Sequence, residues 1–167
     1  MPPKKKYEKT IQYDIPLFSQ GTYSLCWAYC QTMAASAHYG LGFTQDQADE
    51  FAIFLAKIVN GEAEWNKGAL PVNIGDKYYV DTIAELYTLL NDYGPLYALY
   101  FDARAESKTS HMVLITGVNI TTNTVYTNNP WGPPAGKQTF DEFLTGIAWD
   151  NPISYDFRLS CVYSIRR

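Results

Sequence analysis

Histidine and cysteine are scarce in this chain, two and three residues among 167, so any site built on imidazole or thiol has few candidates. Charge is scarce too, at 18% of residues, and a net balance of −4 supplies no basic field for nucleic acid or an anionic membrane. The only basic run, Lys4-Lys5-Lys6, sits beside Pro2-Pro3 and reads as a solvated tail. No apolar run approaches the length of a membrane span. The first thirty residues lack an uninterrupted apolar core, so no secretory signal is visible. Two settings remain as expectations: a reducing cytoplasm, or delivery into a target cell as a piece of something longer. No metal-ligand spacing and no phosphate-binding glycine loop appears, so neither a metal nor a cofactor is expected. An odd cysteine count leaves at least one thiol unpaired in a monomer, and Cys26 and Cys30, four apart on one expected helix, suit a disulfide poorly.

Aromatic residues, by contrast, are plentiful, at 16% with fourteen tyrosines. The length fits one domain with a real core. We expect a flexible leader over 1–12 and a single domain over 13–167, divided into a helical lobe at about 13–93 and a sheet lobe at about 94–167.

Along the chain, Tyr13 to Phe18 reads as an extended approach, with Pro16 forcing Ile15 out of the helical region. Ser24 is the expected N-cap of the helix that carries Cys26 in its first turn, which runs to about His38 and stops at Tyr39-Gly40. Thr44-Gln-Asp-Gln47 is a capping box for a second helix, with Ala48, Phe51, Ala52, Leu55, Ile58 and Val59 on one face. Residues 61–79 read as irregular. Asp81 is the expected cap of a third helix over Thr82–Asn91. At Gly94-Pro95 the period changes: strands are expected over Leu96–Phe101, His111–Val118, Thr124–Thr127 and Leu159–Ile165, with a short helix from Thr139 to Leu144. Helices first and strands afterwards predict an α+β domain with an antiparallel sheet.

The chemistry begins at Cys26. Taken alone it reads as one more small core residue. At the first turn of a helix, however, unpaired N–H groups and the dipole favour negative charge, which predicts a lowered thiol pKa. Six residues upstream is Gln20, whose side-chain amide a bend at Gly21 returns over the sulfur, where it suits an oxyanion. A thiol nucleophile needs a base, and imidazole titrates in the right range. His38 lies twelve residues on along the same helix, about 18 Å at ~1.5 Å per residue, out of reach. By elimination the base is His111, at the start of a strand. Asn129 ends the strand hairpinned to it and returns beside His111, suited to hold one tautomer. Trp131 is placed to cover that bond, although Asn128-Asn129-Pro130 also reads as an ordinary turn.

Gln20-x5-Cys26-Trp27-Ala28, then Ser110-His111-x5-Gly117 and Asn129-x-Trp131-Gly132, resembles the papain-like cysteine peptidases. The resemblance implies a papain-like fold, with the nucleophile helix of an N-terminal lobe packed against a C-terminal sheet lobe. It also implies a thiolate–imidazolium pair of Cys26 and His111, Asn129 orienting the ring, and an oxyanion hole from Gln20 and the Cys26 N–H. The short interval from cysteine to histidine is similar to compact bacterial members: staphopains, plant-pathogen effector proteases and double-glycine bacteriocin-processing peptidases. Residues 22–25 lack the Cys-Gly-Ser pattern of eukaryotic enzymes, and Pro130 stands where those often have serine.

The expected function is therefore a cysteine endopeptidase working through a Cys26 thioester, in context the toxin or effector domain of a bacterial protein. A papain-fold deamidase or transamidase acting on Gln or Asn side chains is the alternative, and a non-catalytic binding module the third reading. The implied partners are a protein or peptide substrate and a cognate inhibitor or immunity protein. Cys30 and Cys161 read as buried core residues, and Trp27 as packing beneath the helix end. Asp102, Asp76 and Glu62 read as surface charge, with a role in substrate preference as the alternative.

Overall fold

The computed structural model describes residues 9–61, 73–104, 106, 109–132, 136–145 and 156–166. Among them the chain runs β1 (Thr10–Gln12), α1 (Cys26–Tyr39), α2 (Gln45–Val59), β2 (Asn73–Tyr78), α3 (Ile83–Tyr93), β3 (Leu96–Asp102), β4 (Ser110–Asn119), β5 (Thr124–Asn128), β6 (Gly136–Thr139), α4 (Phe140–Thr145) and β7 (Phe157–Arg166). The strands form one antiparallel sheet in the order β2-β7-β3-β4-β5-β6, with β1 paired to the far end of β4. The fold is α+β, with the Cys26 helix packed on an antiparallel sheet.

Alternation of side chains along the strands divides the core in two. Tyr97 of β3 and Met112 and Leu114 of β4 meet Ala28, Cys30, Met33 and the α2 residues Ala48, Ala52 and Leu55. Leu96, Ala98, Val113 and Ile115 face the other way, toward Leu86 and Leu90 of α3 and Phe140 and Phe143 of α4. Helices thus cover both faces of the sheet, and β4 is buried at every position after Ser110. A run as apolar as Met-Val-Leu-Ile follows from that double burial.

Several expectations need correction. The leader was drawn to residue 12, yet Thr10–Gln12 pair with Gly117–Asn119; residues 1–8 lie outside the described residues. The span 61–79 contains β2, paired with β7. With β1 and β2 in the sheet and α3 on its opposite face, the two lobes interleave in sequence rather than dividing near residue 93. The cap of α3 is Thr82, whose side chain accepts from Glu85 N–H, not Asp81. Val59 is two-thirds exposed, as the last residue of α2. The capping boxes at Thr44/Gln47 and Thr139/Glu142 form with both reciprocal bonds in place.

Gly117 permits β1 to cross β4. A Cβ there would lie 2.5 Å from Ile11 O and 2.9 Å from Gln12 Cα, both backbone atoms that cannot step aside cheaply. Gly117→Ala is expected to lower stability by about 1–3 kcal/mol through overpacking. The check is the urea midpoint; an unchanged midpoint would show that the close approach of β1 to Gly117 yields to a Cβ without cost.

Candidate active site

Cys26 is the first residue of α1. Ser24 does not cap this helix: the N-cap position is Leu25, which provides no side-chain acceptor. The backbone amides of Cys26 and Trp27, two of the leading donors a helix leaves unpaired, act on the Cys26 thiol, and so does the amide of Met112 on β4. Their pull is outweighed by burial, so the thiol is pushed up rather than lowered as its place on the helix predicts.

Met112 is bracketed by both helix cysteines. Its N–H acts on Cys26, and its carbonyl accepts from the Cys30 thiol at 3.4 Å, one turn deeper. This ties the strand residue after His111 to the first turn of α1. Cys30 is fully buried, and burial, followed by the neighbouring Cys26 charge, raises its thiol well above the ordinary value. Cys161 is buried as well, and all three cysteines are free thiols. Trp27 packs at the edge of the core cluster beneath α1.

His111 is 2% exposed. Its Nε2 lies 2.7 Å from Asn129 Oδ1, and Trp131 N–H donates to that same oxygen at 3.0 Å. A backbone N–H can only donate, so the Trp131 contact identifies the atom as oxygen, and Nε2 must then carry the hydrogen. In the neutral ring the basic lone pair is therefore on Nδ1. The Trp131 indole stacks on the imidazole at 4.1 Å between centroids and 24° between planes, with Phe157 6.1 Å from the imidazole. This aromatic enclosure has one electrostatic result. Burial lowers the His111 pKa to about 4, against the opposing pull of the Asn129 hydrogen bond. Both shifts favour the uncharged thiol and imidazole in the substrate-free site.

Gln20 reaches the same loop from the other side. Its N–H donates to Pro130 O at 2.6 Å, and its carbonyl accepts from Tyr23 N–H at 2.9 Å. Just upstream, Asn128 Nδ2 donates to Ile15 O and Pro16 O. The approach segment 15–20 thus runs alongside 128–130, and the structure brings Gln20 and Asn129 to neighbouring positions of one loop contact. The side-chain Oε1 of Gln20 is buried with no hydrogen-bond partner among the described residues.

Other singled-out residues fall elsewhere. His38 is exposed at the opposite end of α1, on a cavity of about 190 Å³ that includes Asp14, Ala37 and Pro95. Asp102 is not surface charge: its carboxylate is enclosed and pairs with Arg104 at 2.6 Å, while also accepting from Asp156 N–H. Asp76 is exposed, and Glu62 lies outside the described residues. The Met112 backbone and Phe157 were not anticipated. A main-chain donor leaves no residue-type signal, and Phe157 reaches His111 only through the pairing of β7 with β3.

A cysteine opening a buried helix against an antiparallel sheet is the architecture of the papain-like cysteine peptidases. A family model described as papain-like cysteine protease AvrRpt2 matches residues 9–147, and the chain belongs to that family, a peptidase family of bacterial effector type. Among curated proteins no match was found. The match spans the segments carrying Gln20, Cys26, His111 and Asn129.

Proposed function

We propose that this chain is a cysteine endopeptidase with Cys26 as nucleophile, His111 as acid and base, Asn129 as the residue orienting the ring, and Gln20 as an oxyanion donor. The observation that carries the reading is the His111–Asn129 bond of 2.7 Å, on the strand whose next residue acts on the Cys26 sulfur. As the sulfur attacks a peptide carbonyl, Nδ1 of His111 takes the thiol proton, and the carbonyl oxygen becomes an oxyanion. The Cys26 N–H and the Gln20 carboxamide hold that oxygen. The imidazolium then protonates the departing amine, leaving a thioester, and His111 deprotonates the water that hydrolyses it. Asn129 accepts from Nε2–H throughout, so the ring keeps its orientation while it gains and loses a proton at Nδ1.

Biologically, the family match supports an effector role against a protein target; a cognate inhibitor is the further partner of this proposal. Among the described residues no helix is long and apolar enough to cross a membrane.

Gln20→Ala is expected to lower kcat by ~10²–10³-fold with little change in KM, because the lost donor acts on charge that exists only in the transition state. Steady-state kinetics on a peptide taken from a cleavage profile checks this. Mass analysis of the same digests separates a cut backbone from a deamidated side chain, and deamidation without cleavage would replace the peptidase reading.

A further inference from the structure

The residue preceding Gln20 is gripped by a side chain from another helix. Ser19 N–H donates to Gln45 Oε1 at 3.0 Å, and Gln45 Nε2 donates back to Ser19 O at 2.8 Å. One carboxamide thus pairs with both backbone groups of Ser19, as a neighbouring strand would. Gln45 Nε2 also donates to Asp49 Oδ1 at 2.9 Å, one turn further along α2. That same carboxylate oxygen accepts from Tyr29 O–H at 2.7 Å. Tyr29 is fully buried in α1, three residues after Cys26, and burial together with the Asp49 contact keeps its hydroxyl protonated. The orientation of Gln45 is determined: reversing its amide would set donor against donor at Ser19 N–H and acceptor against acceptor at Ser19 O and Asp49.

These bonds form one continuous path: the nucleophile helix, Tyr29, Asp49, Gln45, Ser19, Gln20. The path matters because the Gln20 side chain does not fix itself. Its Oε1 has no hydrogen-bond partner among the described residues, so the aim of its amide depends on where the backbone of 19–20 is held. Pro130 O, in the loop that follows Asn129, holds that backbone at Gln20, and Gln45, linked through Asp49 to Tyr29 of α1, holds it at Ser19.

We infer that Gln45 is a positioning residue for the oxyanion donor, registering Gln20 to the helix that carries the nucleophile. The inference rests on the peptidase reading given above. Gln45 touches neither substrate nor reacting atoms, and it acts through Gln20 alone. A displacement on the order of 1 Å at a catalytic group costs up to about 10²-fold, so Gln45→Ala should lower kcat by roughly ten- to a hundredfold and leave KM nearly unchanged. The rate at which iodoacetamide alkylates Cys26 should stay at the wild-type value, since displacing iodide creates no oxyanion. Gln45→Glu should follow Gln45→Ala, because the new carboxylate meets Asp49 and Ser19 O with no hydrogen to give.

The deciding measurement is the double mutant. In a Gln20→Ala background, Gln45→Ala should cost nothing further. A full additional loss there, an equal fall in the alkylation rate, or an unchanged kcat in the single variant each overturns the inference. Failure of the underlying reading is distinguishable. If Gln20→Ala itself leaves kcat intact, the oxyanion assignment is lost; if Gln20→Ala is damaging and Gln45→Ala silent, only the role of Gln45 is lost.

Discussion

Replacing Cys26 by alanine is expected to lower peptide hydrolysis by roughly 10⁴–10⁶-fold, the scale of losing a covalent nucleophile. The fold should persist. Alanine is the best helix former, Cys26 is only partly buried, and the helix it opens is held by the packing of Ala28 to Ser36 rather than by its first residue. No other thiol can take over. Cys30 is enclosed, its S–H engaged at Met112 O and its pKa raised well above that of a free thiol, and Cys161 is 3% exposed within β7. An epoxysuccinyl inhibitor should therefore add once to the wild type and not at all to Cys26→Ala, with unchanged far-UV circular dichroism. An adduct mapped to Cys30 or Cys161, or turnover surviving in the variant, would sink the assignment.

The second large effect belongs to His111, and it appears in both activity and stability. Without the base, turnover should fall by ~10²–10⁴-fold. The stability signature follows from burial. The ring titrates at about 4 in the folded chain against an ordinary value of 6.5, so the unfolded chain binds the proton first. Its contribution is fully present above pH 6.5 and is lost as pH falls toward 4, up to about 3 kcal/mol. In His111→Gln that portion of the acid destabilisation should vanish. Urea unfolding at intervals between pH 4 and 7 measures it; parallel wild-type and variant curves would show that the imidazole is not held neutral. The acid limb of kcat/KM should likewise fall near pH 4 if, as proposed, the neutral ring is the base in the free enzyme.

What was legible in the sequence was local. The Thr44/Gln47 box, the helix opening at Cys26 and the hairpin returning Asn129 toward His111 each depend on neighbours within a few residues or on one turn. What escaped was set by distant partners. Thr10–Gln12 carry no strand pattern of their own and extend because β4 offers a free edge. β2 exists through its pairing with β7, nearly ninety residues away. Ser24 has the right chemistry for a cap, yet the N-cap position falls one residue later, on Leu25, whose side chain makes no capping bond. Asp102 looked like surface charge because, although Arg104 stands only two residues on, the Asp156 amide that also engages its carboxylate comes from a distant part of the chain.

The turn at 128–131 supports two parts of the candidate site at once. Asn129 holds the imidazole, and the Pro130 carbonyl holds the backbone N–H of residue 20. A displacement of that turn would therefore shift the imidazole and the backbone of residue 20 together, so the acid–base and oxyanion roles proposed for them share one support.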